Sequence, residues 1–514
     1  MRATPIALLA AALVALALAG PAAGAPLLVL EPDGQVTARD DRFLPAPDRP
    51  VGRVTAPASA TAPDGAVGRA ARSRRTVRGE LARLRDAGAI DAATHDRHRD
   101  TWDAAQRTLR RLTGRRAVEL RGVLRTVDEV AAAGALTAAR LPAVFQTVAR
   151  NRQWWAAGRL VGYGQRVAFS GSRLVWQSYP GQGIQLQWLG TFGKANGLFL
   201  SGDHDPELRA LLDEAVALAT PRAGGLAWES WFRFDGGRPP WVSALSQGTA
   251  VQALSRAAIR LGHGPYFDTA RAALGIFRTP PPTGVRVATD AGAHYLIYSF
   301  APRLRVLNGF VQSLIGLRDF ATFANDDGGR ALFADGEAQL RREVPAYDTG
   351  AWSMYSQARE SDLGYHTLLR DFLRNLCGRL TDDTARAAAA QAAGGATATP
   401  AVPDPALYCG TAERFTGYLR TRPVVTLRAA RPARARARRG VTVPYVLSKI
   451  STVTTRVTRA GRPVAGRTVR LGRGTQALRF TPKAPGSYAI SVRAVDLAGN
   501  ATIVSGAVKV ASAK

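Results

Sequence analysis

Apolar positions along the chain follow two rhythms. From Val67 to Asn151 they return every three or four residues, as in RGELARLRDAGAI, RAVELRGVLRTVDEVAAAGAL and LPAVFQTVARN, which predicts amphipathic helices ending at Gly or Asn. The same rhythm resumes over 205–395, for example in PELRALLDEAVALAT, ALSQGTAVQALSRAAIRL and SDLGYHTLLRDFLRNLC, with loops rich in Trp, Gly and Pro between the helices. Residues 161–203 mix aromatic, Gly and β-branched residues instead, and predict short strands or loops lining a groove. After residue 424 the period drops to two in VTVPYVLSKISTVTTRVTR, SYAISVRAVD and ATIVSGAVKV, with turns such as DLAGNA.

These rhythms predict a multidomain α plus β chain. An extended, Pro- and Asp-punctuated lead-in occupies 26–64, an N-terminal helical region 65–160, a domain of antiparallel helix pairs 161–422, and a β-sandwich of immunoglobulin-like size 424–514. Helix pairs whose aromatic loops gather at one end suit an (α/α) toroid, a fold that commonly holds oligosaccharides in its mouth. The run RAARPARARARRG at 428–440 reads as a basic linker, either solvated or touching a polyanion.

One helix breaks its own rule. In RVLNGFVQSLIGLRDFA, residues 305–321, Leu307, Phe310, Val311, Leu314 and Ile315 keep helical spacing, yet Asn308 and Gly309 sit in the first turn. Gly costs about 1 kcal/mol against Ala in a helix interior and Asn is a poor helix former. Either the pair makes a cap or close contact, or the helix N-terminus faces a ligand.

Composition then narrows the chemistry. Of 514 residues, 69 are Lys or Arg and 39 Asp or Glu, a formal charge of +30, and only Lys194, Lys449, Lys483, Lys509 and Lys514 are lysines. Guanidinium groups pair with carboxylate and phosphate, so an anionic partner and a genomic Arg bias are both consistent with the count. Arg2, the apolar run Ile6 to Ala19 and the small residues Ala22 to Ala25 have the layout of a secretory signal peptide over 1–25. The run is short for a membrane span and no second one follows, so the expectation is a secreted or surface-associated chain without a transmembrane anchor or nucleic-acid partner. Cys377 and Cys409, the two cysteines, read as one disulfide in that compartment. The six histidines show no metal-ligand spacing, so no metal and no cofactor is expected.

Four segments follow one another in a recognisable order: PPWVSALSQGTAVQALSRA (239–257), RVLNGFVQSLIGLRDFA, LRREVPAYDTGAWSMYS (340–356) and GYHTLLRDFL (364–373). Together they resemble the C-terminal catalytic domain of the D-glucuronyl C5-epimerases, over roughly 225–378, with a fainter echo in YPGQGIQLQWLGTFGKAN. The resemblance implies inversion of C-5 of glucuronate within an acidic, heparosan-like polysaccharide, with tyrosines moving the proton. The matching tyrosines are Tyr298, Tyr355 and Tyr365. Asn308, His366, Arg303, Arg305, Trp241, Gln247 and Trp188 become candidate substrate contacts, with Trp352 a further stacking surface. The C-terminal region is expected to be a spacer or a contact to the cell wall.

Two positions depart from the family pattern. Ile297 stands where the family has a glutamate before the first tyrosine, and Asp362 where it has an arginine before the last. Isoleucine moves no proton, so Glu229 and Asp235 become candidate replacements. A polysaccharide lyase working through the same carbanion, and a non-catalytic binder of acidic glycans, remain alternatives at this stage.

Overall fold

A computed structural model describes residues 26–44, 75–393, 402–431 and 434–512. The expected leader at 1–25, residues 45–64 of the expected lead-in and the start of the helical region up to 74 lie outside them. The described chain is mixed helix and sheet with a β-rich C-terminal region, and no helix among the described residues is long and apolar enough to cross a membrane. It divides into two compact units, one comprising residues up to 304 with 312–339, the other 305–311 with 340 onward.

The first unit opens with a difference from expectation. Residues 27–39 are not a loose lead-in but a hairpin, Leu27–Leu30 paired with Val36–Arg39. It extends a five-stranded sheet in which Leu27–Leu30 runs parallel to Arg166–Phe169, followed by Trp176–Tyr179 and Gly183–Leu186. These last three strands realise the first part of the aromatic segment 161–203, but Trp188–Ser201 is a helix capped by Gln187 and not the expected strand or loop.

Four long helices, Val77–Asp86, Ala92–Arg111, Gly114–Ala132 and Leu141–Ala157, realise the N-terminal rhythm. Thr76 and Asp91 cap the first two by accepting the N–H groups of Gly79 and Thr94. Asn151, read as a helix terminator, lies inside the fourth helix and is fully buried. Its amide donates to Ile184 O at 2.6 Å and accepts from Ile184 N at 2.8 Å, satisfying the free edge of strand Gly183–Leu186.

The core of this unit is the helix Ala244–Leu261, buried at every position from Ala244 to Ala258. Its buried polar side chains Gln247, Thr249, Gln252, Ser255 and Arg256 are hydrogen-bonded within the protein, which is what allows the whole helix to lie inside it. It crosses the later helix Leu307–Phe323 backbone to backbone: a Cβ added to Gly316 would lie 2.0 Å from the carbonyl oxygen of Gly248. Buried Asp319 locks this crossing by accepting from Gln252 at 2.8 Å and Arg256 at 3.2 Å.

The second unit joins the helices Leu363–Ala392 and Ala406–Tyr418, bridged by the disulfide Cys377–Cys409, to the β-rich region. Three strands, Val425–Leu427, Val441–Leu447 and Gly474–Phe480, form one sheet. Five form another, in the order Ala435–Arg436, Ala501–Ala511, Gly486–Asp496, Ser451–Arg459, Arg462–Leu471. Alternate residues of both enter a single apolar cluster that includes Val443, Tyr445, Val453, Phe480, Tyr488 and Val492. The basic run is therefore not a free linker. Arg431 pairs with Thr442, Ala435 and Ala437 enter the cluster, and Ala435–Arg436 runs parallel to the last strand.

Candidate active site

In the second unit the chain Met354–Glu360 folds back on itself as a tight hairpin. Tyr355 on its first strand is 5% exposed, and the Arg359 guanidinium lies 4.3 Å from the centre of its ring. Tyr365, half-buried in the first turn of helix Leu363–Ala392, meets the same ring at 4.6 Å between centroids. Asp362 brings it there: its carboxylate caps the helix by accepting the N–H of Tyr365 at 2.8 Å. The Asp at the family's arginine position thus has a helix-capping task, and the guanidinium in this neighbourhood is that of Arg359.

The start of helix Leu307–Phe323 is stitched to this hairpin. Val306 bridges Ser356, and the N–H of Arg305 donates to Gln357 Oε1 at 2.9 Å. Two residues on, Asn308 is 3% exposed and its carbonyl oxygen Oδ1 has no hydrogen-bond partner. A buried amide oxygen left unmatched costs about 1–3 kcal/mol, an arrangement expected where a ligand supplies the missing donor. Arg305 is half-buried, and Arg303, in the first unit, is exposed. Tyr347 donates to Arg305 O at 3.0 Å, and burial pushes its phenol well above the ordinary tyrosine range.

Glu360, beside Arg359, carries a connection that no sequence pattern announced. Its two carboxylate oxygens accept the backbone N–H groups of Ile450 at 3.2 Å and Arg473 at 2.8 Å. Two turns of the β-rich region thereby hold the hairpin that bears Tyr355.

His366 has a different task from the one expected. It is fully buried and stacks on Trp352 at 3.8 Å. Its Nδ1 accepts from Ser353, backbone at 3.3 Å and hydroxyl at 2.8 Å, and its Nε2 donates to Phe415 O at 2.9 Å. Both nitrogens are in use, so the ring is a packing element without a position for a sugar. Trp352 is likewise fully buried and donates to Ser361 O.

Burial lowers the pKa of His366 to about 4, as it does for His98 in the first unit. The unfolded chain binds these protons near pH 6.5 and the folded chain does not, so stability rises with pH across this window. It is expected to be fully present above pH 6.5 and to fall as pH drops towards 4, by on the order of 3 kcal/mol per ring. Urea midpoints measured between pH 7 and 4 test this. A His366→Gln variant, neutral throughout, should show a shallower slope, and an identical slope would refute the assignment.

Tyr298 lies in the first unit. Half-buried, it stacks on Phe300 at 5.3 Å and meets Phe234 at 5.4 Å and Trp241 at 5.8 Å, beside the buried Tyr179 and Phe232. Trp241 is 7% exposed and donates to Phe232 O, so it forms the floor of this aromatic shelf. Ile297, in the family's glutamate position, is buried and apolar.

The remaining candidates in this unit are structural. Gln247 spends both ends of its amide on the Trp228 backbone, and Trp188 donates to Glu229 O while stacking on Phe192. Glu229 is clamped by Arg140 at 2.8 Å and Arg222 at 2.5 Å in a fully buried position, where these guanidinium groups occupy both of its carboxylate oxygens. Asp235 sits exposed at the tip of the Phe234–Gly237 turn. Among the described residues no group of acidic, His or Cys side chains is arranged to hold a metal ion.

Residues 225–391 match the family profile of the D-glucuronyl C5-epimerase C-terminus. The D-glucuronyl C5-epimerase of Caenorhabditis elegans is 34% identical over 130 residues, covering 23% of this chain and 21% of that protein. This segment belongs to the D-glucuronyl C5-epimerase family. An uncharacterized protein of Methanocaldococcus jannaschii is 26% identical over 120 residues, 22% of this chain and 39% of its own. The chain thus spans well under half the length of these curated relatives. A solved endo-beta-1,4-glucanase from Acetobacter xylinum overlaps 49% of this chain and 93% of its own at 13% identity and a TM-score of 0.28, too low to bear on the fold. Tyr298, Tyr355, Tyr365, Asn308 and Arg359 all lie within the epimerase-family segment.

Proposed function

We propose that this chain is an exported polysaccharide uronate C-5 epimerase, acting on glucuronate or a related uronic acid within a polymer. Its helices would form an (α/α) toroid, and its β-rich region an immunoglobulin-like domain. The observation that carries the reading is the Tyr355–Tyr365 ring pair with the Arg359 guanidinium against it, inside the epimerase-family segment.

The reaction needs a base to take the C-5 proton, an acid to return one to the opposite face, and positive charge where the carbanion spreads into the carboxylate. One tyrosine, as phenolate, forms an O–H bond as the C-5–H bond breaks. A second tyrosine O–H then reprotonates C-5 from the other side and is left as phenolate, and proton exchange of both phenols with water restores the starting pair, so no other reagent is consumed. Tyr355 and Tyr365 are assigned to these steps, and Tyr298 is the third family tyrosine. Arg359 faces the carboxylate charge, and the amide of Asn308 takes a sugar hydroxyl through its open Oδ1.

Incubating the full mature chain with heparosan and other polyuronates in deuterated water, followed by proton NMR, tests the proposal. Deuterium at C-5 in uncleaved chains supports it; unsaturated chain ends would identify a lyase, and no exchange on any polymer would refute catalysis. In the same assay Asn308→Leu should lose about tenfold or more in rate while retaining or gaining stability, because the unmatched oxygen disappears. A variant that unfolds readily but still exchanges at the normal rate would make Asn308 structural.

A further inference from the structure

The charge of this protein is unevenly placed. Residues 424–514 hold eighteen Lys and Arg but a single acidic residue, Asp496, and so supply +17 of the +30. That one acid is buried and paired with Lys449 at 2.6 Å. A genomic preference for arginine raises Arg everywhere but does not remove carboxylates from one region, and the other 38 acidic residues all lie before residue 424.

The strand register shows where the cations go. Arg493 pairs across from Thr454 and Ile503, Arg470 from Thr452, and Lys509 from Ser487, while Arg456 pairs with Ser491 and Arg436 with Ala511. These residues share the parity opposite to the buried Val453, Val457, Ile490, Val492, Val508 and Val510, and therefore share the outward face. All five cations are exposed. Each of the five strands contributes one of them: Arg436, Lys509, Arg493, Arg456 and Arg470, in sheet order. Thr454, Thr468, Ser491 and Ser505 lie among them, short hydroxyl side chains that leave the face low and polar. A shallow cavity of about 360 Å³ opens beside Arg456.

We infer that this outward sheet face binds a carboxylate-bearing polysaccharide, each strand offering a cation to an acidic chain laid across the sheet. Charge complementarity carries the partner class: the β-rich region places no acid on this face, and guanidinium matches carboxylate in shape as well as sign. Hydroxyl-bearing neighbours suit a hydroxyl-rich polymer. The choice of polyuronate over other polyanions rests on the proposed activity. The β-rich region then acts as more than a spacer, raising the local concentration of polymer.

Retention of the full chain on bead-linked heparosan and alginate, measured as a function of salt, tests this. The triple variant Arg456→Glu, Arg470→Glu, Arg493→Glu should lose about tenfold or more in affinity and show a flatter salt dependence. A control with the same charge change on exposed positions of helix Ala92–Arg111, Arg107→Glu, Arg110→Glu, Arg111→Glu, should stay within about threefold of the parent. Both should unfold at the parent's temperature, and C-5 exchange on short oligosaccharides should be unaltered. Equal losses in the two triples, or an unchanged face variant, would overturn the inference. So would duplex DNA or anionic vesicles competing more strongly, charge for charge, than polyuronate. Retention needs no turnover, so an inactive chain that still binds refutes only the epimerase reading, and an active chain that fails to bind refutes only this one.

Discussion

Tyr355→Phe is expected to slow C-5 deuterium exchange by about 10²–10⁴-fold, the usual worth of a positioned general acid or base. The substitution removes one oxygen and keeps the ring, so the contacts of Tyr355 with Tyr365 at 4.6 Å and Arg359 at 4.3 Å survive. Loss of the hydroxyl's own hydrogen bonding alters stability by only about 1 kcal/mol. The expected signature is a fall in kcat with little change in KM, because the proton moves only on the way to the transition state. Tyr365→Phe should do the same if the two phenols serve opposite faces of the sugar, and the double variant should then be far less than additive. Parent-level exchange in both single variants would eliminate the pair as the proton carriers and leave Tyr298 as the remaining family tyrosine.

Much of this organisation was legible in the sequence, and the failures have physical causes. Helical and two-residue rhythms located the helices and the β-rich region because burial of one face imposes those periods. The family tyrosines were legible through ordered motifs. RARAR at 434–438 was misread because its inward residues are alanines: Ala435 and Ala437 occupy core positions with little hydropathy, and the charge of the intervening arginines masked a two-residue period. The hairpin Leu27–Leu30 and Val36–Arg39 is a local pairing that the Pro- and Asp-rich surroundings obscured, whereas its addition to Arg166–Phe169 is too distant for any local pattern.

Side-chain roles were less legible than elements. His366, Gln247 and Trp188 carry polar groups that suit a sugar, but each spends them on nearby protein atoms, an accounting that only the folded chain reveals. Arg359 had a faint signal, a cation four residues after a family tyrosine. Glu360 had none, since its partners are two backbone N–H groups about a hundred residues away in sequence.

Lys449→Met is expected to cost about 3–5 kcal/mol of stability, the range for removing one member of a buried ion pair. The ammonium is 1% exposed, pairs with Asp496 at 2.6 Å, donates to the carbonyl oxygens of Tyr418 and Thr421, and faces the Trp352 ring at 5.4 Å. Methionine fills a similar volume but leaves a buried carboxylate without its cation and two carbonyls without a donor. Asp496 keeps the N–H groups of Ala498 and Asn500, so its turn survives and the cost falls on the junction between the β-rich region and the end of helix Ala406–Tyr418. The next residue, Ile450, is one of the two whose N–H groups hold Glu360, so loosening this turn should reach the Tyr355 hairpin. Exchange activity should therefore drop together with the urea midpoint, and Glu360→Gln, which keeps the acceptor geometry on one oxygen only, should lower activity with a smaller loss of stability. The double variant Lys449→Met, Asp496→Leu should recover part of the lost stability, because replacing both charges removes the unmatched carboxylate. A Lys449→Met chain as stable and as active as the parent would show that the β-rich region neither depends on this pair nor supports the hairpin through it.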